Sequence, residues 1–280
     1  MSHKSRSTVK SVIYTLLAFI MSVLMFLLSF AITLQATILN PDFLLDNMNS
    51  TNYFVEKHQE VVQKLTDLGN ASGLDESFFD DLLSSVEIYD DTEIYFEEYY
   101  SGKSTVVDTT KFRQNFNSAL DKYIEKNNIQ DVDSDSREYL VKNASRIYVS
   151  SVEVPFFSNA STYILALKKV MPFVIAGLCV MIAAIVLVIV FTNSWKHRAL
   201  KYLCYATSGA TLTVGIIPTL VFISGKIQQI NISSRALYTV FVQSANSVMI
   251  SLSIVAAAFL IISLTLFFVH MNMRKKLIDD

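Results

Sequence analysis

Four long stretches of the chain contain no charged residue and no histidine, and they constrain its fold more than any other feature. They are Ser11–Ile38, Val170–Thr192, Tyr202–Ser224 and Ala236–Val269. Each is longer than the roughly 20 apolar residues that a helix needs to cross the hydrocarbon core of a bilayer. A charge at the bilayer centre costs at least about 2.5 kcal/mol on insertion scales, which explains why these stretches carry none. We therefore predict an all-α integral membrane protein with four transmembrane helices.

Composition removes several other classes of protein. Charged residues make up 17% of the 280-residue chain, against roughly a quarter in an ordinary soluble protein. The net charge of −2 gives no basis for predicting a nucleic-acid partner. Two cysteines, both in or beside the uncharged stretches, exclude a disulfide-rich scaffold.

The uncharged stretches also predict a large domain inserted between the first and second spans. The predicted segments are a cytoplasmic N-terminus over 1–10, transmembrane helix 1 over 11–39, an acidic all-α extracytoplasmic domain over 40–162, a juxtamembrane segment with transmembrane helix 2 over 163–192, a cytoplasmic loop over 193–201, transmembrane helix 3 over 202–224, an outer loop over 225–235, transmembrane helix 4 over 236–270 and a cytoplasmic tail over 271–280. The first stretch follows a basic start, as in a signal peptide, but it exceeds the roughly 7–15 apolar residues of that signal. We expect an uncleaved signal anchor.

The positions of lysine and arginine predict the orientation. These residues concentrate before the first span, between the second and third, and after the fourth: Lys4, Arg6, Lys10, Lys196, Arg198, Lys201, Arg274, Lys275 and Lys276. The short loop between the third and fourth spans holds only Lys226 and Arg235. Because cytoplasmic loops are enriched in lysine and arginine, we expect both termini in the cytoplasm and residues 40–162 outside the cell membrane.

The predicted outer domain is strongly acidic. Residues 40–162 hold 23 of the 25 Asp and Glu residues but only 10 Lys and Arg, a net charge of −13. Such a surface attracts cations or basic partners, although simple solvation of helical faces is the alternative explanation. The domain has no cysteine and is rich in Asn, Lys and Asp, which favours a bacterial membrane. Five Asn-x-Ser/Thr triplets lie on the same predicted side and leave glycosylation open.

Apolar spacing within this domain is helical, with four or five helices expected in a bundle. The predicted helices are Asn52–Leu68 capped by Gly69, Ser77–Val86, Asp91–Tyr100 ending before Gly102, one that begins at Asp108 or Thr109, and one that begins near Asp135 and ends before Pro155. Asp135 and Glu138 have the spacing of a capping box. The apolar stripes are most simply the core of the bundle.

One segment of the domain alternates acidic and aromatic residues and is the candidate partner surface. Its carboxylates are Asp90, Asp91, Glu93, Glu97 and Glu98. This pattern could meet a basic peptide or a cationic ligand, whereas the alternative is that the aromatic rings pack inside and the acids remain in water.

No motif in the chain predicts a catalytic site, a cofactor or a bound metal. The domain has a single histidine, His58, and the acid nearest the second span is Glu153; an enzyme built on either is the weakest alternative. Asp131, Asp133 and Asp135 begin like a calcium loop, but Ser136 and Lys142 stand where that loop needs glycine and glutamate.

The fourth span carries polar residues that predict a seam in the membrane. They are Gln243, Ser244, Asn246, Ser247 and Ser251, of which the three serines share one helix face. Small and hydroxyl residues let helices approach and hydrogen-bond. The seam therefore predicts packing of the third and fourth spans, a contact between subunits, or the lining of a pore in a homo-oligomer.

These observations predict a non-enzymatic membrane protein of the cell envelope. The outer domain is expected to bind a protein or peptide, while the spans lie in the lipid bilayer and anchor the protein or join it to a membrane complex. An oligomeric channel or transport subunit is the alternative. The absence of an ionisable residue inside any span argues against a self-sufficient ion-coupled transporter.

Overall fold

The computed structural model describes residues 3–103, 106–129, 133–154, 157–193 and 195–279. These residues form helices joined by turns and short loops, with no β-strand among them. The helices are α1 (His3–Ala36), α2 (Pro41–Ser50), α3 (Tyr53–Gly69), α4 (Glu76–Asp80), α5 (Ser85–Ser101), α6 (Thr110–Lys126), α7 (Ser134–Val152), α8 (Phe157–Thr192), α9 (Lys196–Ser224) and α10 (Arg235–Asp279). Short 3-10 turns at Asn70–Ser72 and Lys226–Gln229 complete the elements. The predicted all-α class is confirmed.

Four helices among the described residues are long and apolar enough to cross a membrane, which is the number of candidate spans that the sequence predicts. Their apolar parts are Val9–Ala36, Thr162–Thr192, Lys196–Ser224 and Arg235–Lys275. Large apolar side chains point away from the protein along them, as in α8, where Phe173 and Phe191 are 78% and 80% exposed. Such surfaces are compatible with contact to lipid rather than to water.

The chain divides into two compact units. Residues 1–40, 168–230 and 242–280 form the first, which we call the four-helix unit. Residues 41–167 and 231–241 form the second, which we call the inserted domain. The fourth apolar helix therefore contributes its first residues to one unit and the remainder to the other.

Small side chains hold the four-helix unit together. Along α1, Ala18 and Ser22 are buried and face α9, where Ala206 and Ala210 are fully buried. A Cβ atom added to Gly209 would lie 2.6 Å from the Oγ atom of Ser22. The two helices therefore approach at this point closely enough that glycine is required, as is common between membrane helices.

Aromatic side chains form the core of the inserted domain. Helix α3 lies at its centre and packs against α2, α4, α5 and α7. The side chains of Phe79, Phe96 and Phe116 are fully buried. Phe79 lies against Gly69 so closely that a Cβ there would be 2.5 Å from its ring. Edge-to-face and tilted ring pairs continue through the core, as in the pair of Phe78 and Phe116 at 5.9 Å.

Two predicted helix boundaries in this domain are wrong. A single helix was expected over Ser77–Val86, but α4 ends at Asp80 and the chain turns before α5 begins at Ser85. The predicted start of the next helix at Asp91 is therefore too late by six residues. The reason is a capping box: Ser84 accepts a hydrogen bond from the Glu87 amide, and the Glu87 carboxylate accepts one from the Ser84 amide.

Helix caps differ from prediction at two further places and agree at one. Asp133, not Asp135, caps α7 by accepting a hydrogen bond from the Ser136 amide at 3.0 Å. Gly69 does not cap α3 but is its last residue, and Asn70 takes the cap position. Helix α5 ends before Gly102, as predicted, and Gly102 has a left-handed conformation. Asp131, the first residue of the failed calcium pattern, lies outside the described residues.

Residues 231–241 complete the inserted domain from the far end of the chain. Ala236 is fully buried and Val240 is 6% exposed, and both pack into the aromatic core. The Glu60 carboxylate accepts hydrogen bonds from the Ser234 hydroxyl at 2.8 Å and from the Ala236 amide at 3.4 Å. Glu60 thereby caps the start of α10. The predicted membrane boundary at residue 236 is untested and stays a prediction.

Candidate functional site

An acidic groove lies along one face of α5. Four carboxylates line it: Glu87, Asp90, Asp91 and Glu98. Their spacing of three, four and seven residues places them on the same side of the helix. The groove encloses a cavity of about 320 Å³, and Asp108, just before α6, adds a fifth carboxylate from the opposite side.

The floor of the groove is apolar and aromatic. Its buried side chains are Leu82, Leu83, Tyr95, Phe112 and Tyr148. Rings of Phe112 and Tyr148 stack with their centres 4.5 Å apart and their planes 8° from parallel. Ile94 and Val106 also line the groove, although they are 54% and 78% exposed. Apolar surface thus lies beside the carboxylates, where a ligand with an aliphatic stem and a charged end would find both.

Two contacts fix carboxylates at the groove. The phenol of Tyr148, on α7, donates a hydrogen bond to Asp91. Burial and the neighbouring carboxylate raise the pKa of Tyr148, so this phenol remains the donor at neutral pH. Lys111 places its Nζ atom 3.2 Å from Oε1 of Glu87. Lys111 is the one cation among the lining residues, and it leaves the groove with an excess of negative charge.

Hydrogen bonds from the first residue of α6 hold the fifth carboxylate, that of Asp108, in place. Asp108 accepts hydrogen bonds from the hydroxyl of Thr110 at 2.6 Å and from its amide at 2.8 Å. These two hydrogen bonds lower the pKa of Asp108, so it stays ionised well into the acid range. Asp108 is therefore a permanent negative charge at neutral pH.

A second, wider groove continues from the first. The two grooves share Leu82 and Asn115, and the second has a volume of about 710 Å³. Asp75 and Asp81 face this groove together with two lysines of α6, so its charges balance. The negative excess is therefore confined to the first groove.

The structure divides the predicted partner surface into two faces. Asp90, Asp91 and Glu98 line the groove together. Glu93 instead accepts a hydrogen bond from the phenol of Tyr89 at 3.4 Å, and Glu97 is exposed outside the groove. Sequence reasoning missed Glu87, because the helix was predicted to begin at Asp91, and it missed Asp108, because the packing of α5, α6 and α7 brings that residue to the groove. The helical spacing of Glu87 from Asp91 was the available signal.

The structure shows a local contact for each of the two residues named for the enzyme alternative, His58 and Glu153. Nε2 of His58 donates a hydrogen bond to the carbonyl of Leu83 at 2.7 Å and so ties α3 to the turn before α5. Glu153 forms the C-terminal cap of α7. Among the residues with described positions, no three histidine, cysteine or acidic side chains lie close enough to hold a metal ion.

Some side chains of the predicted polar seam on α10 form hydrogen bonds within the described part of the chain, whereas others do not. Ser251 donates to its own helix, to the carbonyl of Ser247 at 2.9 Å, and Gln243 is exposed. The side-chain oxygens of Ser244 and Asn246 are enclosed and have no hydrogen-bond partner within the described part of the chain.

The hydroxyl contact that does join α9 to α10 was not predicted. It links Ser208 to Ser263, whose oxygens lie 2.6 Å apart, and Cys204 adds a weaker contact to the carbonyl of Ser263 at 3.6 Å.

No protein-family model, no curated protein and no solved structure matches this chain.

Proposed function

We propose that the protein is a non-enzymatic binding module of a cell envelope, in which the acidic groove of the inserted domain captures a basic peptide segment of a partner protein. The observation that carries this proposal is the placement of five carboxylates around an apolar floor with a single lysine among them. Arginine and lysine match such a groove because their aliphatic stems cover apolar surface while their charged ends meet carboxylates.

A peptide fits the groove better than an isolated cation does. The carboxylates of Glu87 and Glu98 are three helical turns apart, so they are spread along α5 and not gathered at one point. Exposed Ile94 and Val106 offer apolar contacts between them. An extended segment with several basic residues can use all of these groups at once.

The four apolar helices anchor this module in a bacterial cell membrane in our proposal. Nine lysine and arginine residues lie near the first span's start, between the second and third spans, and after the fourth. The positive-inside rule then assigns both termini to the cytoplasm and the inserted domain to the outside. An anionic lipid surface repels the acidic domain, which keeps the groove open to water and to partners.

Binding of an oligo-arginine peptide to the full chain tests the proposal. The chain is held in nanodiscs of neutral lipid, so that the peptide has no anionic membrane to bind. Asp90→Asn with Glu98→Gln is expected to weaken binding about tenfold or more, since each close charge pair contributes roughly 1 kcal/mol. Glu93→Gln with Glu97→Gln is the matched control, because it removes the same charge from the other faces of α5.

The outcomes separate groove binding from general attraction. A loss confined to the groove variant, with less than about twofold change in the control, supports the proposal. Equal losses in both variants would mean that the peptide responds only to net charge, and the groove would then have no role in binding.

A second candidate is a subunit of an oligomeric channel, favoured by the enclosed Ser244 and Asn246 oxygens. Unsatisfied polar groups in an apolar helix are costly, and a second copy of the chain could supply their partners. On this alternative, Asn246→Leu abolishes solute flux while the protein still inserts. On the binding proposal, the same variant leaves oligo-arginine binding unchanged.

A further inference from the structure

The ends of four apolar helices meet at one side of the four-helix unit. Tyr14, near the start of α1, donates a hydrogen bond from its phenol to the carbonyl of Thr192 at the end of α8, at 3.1 Å. The hydroxyl groups of Ser11 and Tyr202 lie 3.1 Å apart and join α1 to the start of α9. Nδ1 of His270, on α10, lies 2.7 Å from the carbonyl oxygen of His197. We call this side of the unit the basic end.

Cations outnumber carboxylates at the basic end. Its exposed basic side chains are Lys10, Lys196, Arg198, Lys201, Arg274 and Lys275. The sequence of the four-helix unit contains only two acidic residues, Asp279 and Asp280. No carboxylate among the side chains that the structure describes forms an ion pair with these six basic side chains. Such an excess of one charge requires counter-ions from outside the chain.

Two of these cations flank a pair of histidines. The rings of His197 and His270 have their centres 6.3 Å apart. Arg198 directly follows His197 on α9, and Arg274 lies one helical turn after His270 on α10. The two guanidinium side chains therefore start beside the histidine pair, one from each helix. Guanidinium is the side-chain group that best matches the oxygens of a phosphate, since it can donate two parallel hydrogen bonds.

An exposed tryptophan lies beside the histidine pair and indicates where this cluster lies relative to the lipid headgroups. The ring of Trp195 is 52% exposed, and its centre lies 6.0 Å from that of His197. Tryptophan is enriched where a membrane helix meets the lipid headgroups. The cluster also lies at the ends of apolar helices, so the phosphate groups of a bilayer surround it at this level.

We propose that the basic end binds the phosphate of an anionic phospholipid headgroup, held between Arg198 and Arg274 beside His197 and His270. Free inorganic phosphate offers the same chemistry, but the exposed tryptophan and the apolar helix ends favour the lipid. This site is independent of the acidic groove, which belongs to the inserted domain.

Retention of lipid by the purified full chain tests the site. Protein taken from membranes that contain phosphatidylglycerol and phosphatidylcholine is transferred to detergent, and the bound lipid is measured by native mass spectrometry. Arg198→Gln with Arg274→Gln is expected to lower phosphatidylglycerol retention about 30-fold, because each basic residue at an anionic surface contributes roughly fivefold. Lys169→Gln, an exposed cation outside this cluster, is the control and should change retention less than twofold.

Further outcomes settle the alternatives. Arg198→Lys with Arg274→Lys keeps both charges and tests folding separately; retention between wild type and the glutamine variant supports a guanidinium contact. Equal retention of phosphatidylglycerol and phosphatidylcholine by the wild type would overturn the proposal without any variant. Displacement of the lipid by millimolar inorganic phosphate would overturn the choice of lipid and assign the site to the free ion.

Discussion

The two units of this protein are both built from α-helices, but they differ in charge and in which side chains they expose to their surroundings. The four-helix unit has 12 lysine and arginine residues and two acidic residues, whereas the inserted domain has 11 and 23. The near-neutral net charge of the chain therefore conceals two strongly charged units of opposite sign. Average composition is a poor guide to either of them.

The interiors differ as much as the charges do. In the four-helix unit, Ala206 and Gly209 let backbones approach, and the large apolar side chains point outward. In the inserted domain, large rings such as Phe79 and Phe116 point inward and fill the core. The hydrophobic effect in water drives the packing of the inserted domain, since burying apolar area contributes about 25 cal/mol per Å² in water. Lipid provides no such force between the helices of the four-helix unit.

High pH should produce the largest difference in stability between the two units, because it destabilises the inserted domain. Burial raises the pKa of Tyr53, Tyr100 and Tyr148, all in the inserted domain. A raised pKa stabilises the folded state below the pKa of the unfolded chain, near 10, and this contribution is lost as the pH rises above it. Each phenol then costs at most about 1.4 kcal/mol per pH unit. Denaturation of the domain, followed by tyrosine near-UV circular dichroism, should require clearly less guanidinium at about pH 11 than at about pH 8.

The tyrosine that contacts Asp91 provides the control for this pH effect. Tyr148→Phe removes one protected phenol, so the stability of this variant should fall less steeply between the two pH values. If wild type and variant lose stability with the same slope, Tyr148 ionises freely in the folded protein and its donor role at the groove is wrong.

Removal of one core ring should distinguish water-driven from lipid-exposed packing. Phe116→Ala leaves a cavity in the inserted domain and should cost about 3–5 kcal/mol of unfolding free energy. Ile223→Ala, on α9, removes a side chain that is 78% exposed and should change stability by less than about 0.5 kcal/mol. Guanidinium denaturation of the full chain measures both, and similar costs would mean that Ile223 is packed against protein.

A larger side chain at the helix contact should act on the four-helix unit alone. Gly209→Leu forces α9 away from α1, which carries Ser22, and should cost about 1–3 kcal/mol, seen as a lower thermal midpoint in detergent. Gly177→Leu, on α8, is the matched control because no atom lies within 4 Å of the added Cβ. A drop of equal size in both variants would point to a general effect of leucine on membrane insertion.

The fold was predictable where its cause is local. A charge in lipid is costly, so four uncharged stretches were enough to predict the four long apolar helices that the structure contains. Helix limits inside the domain depend on single hydrogen bonds. The exchange between Ser84 and Glu87 moves the start of α5 by six residues, and apolar spacing contains no sign of it.

The site was predictable only in the part that one helix supplies. Asp90, Asp91 and Glu98 stand out in the sequence because they are near one another along the chain. Asp108 and Tyr148 join them only when α5, α6 and α7 pack, and no local pattern reports that packing. Ala236 begins an uncharged stretch in the sequence. An apolar residue looks the same in a sequence whether protein or lipid covers it, so the burial of Ala236 in the inserted domain was not predictable.

The burial of Ala236 and Val240 in the inserted domain sets an order for biogenesis. The domain's main segment ends at residue 167, so the remainder of α8 and all of α9 are made before these residues. A ribosome that adds about 5–20 residues per second needs several seconds to reach them. Throughout that interval the nascent domain exposes the part of its core that α10 will cover, so its final closure must wait until translation delivers the start of the fourth apolar helix.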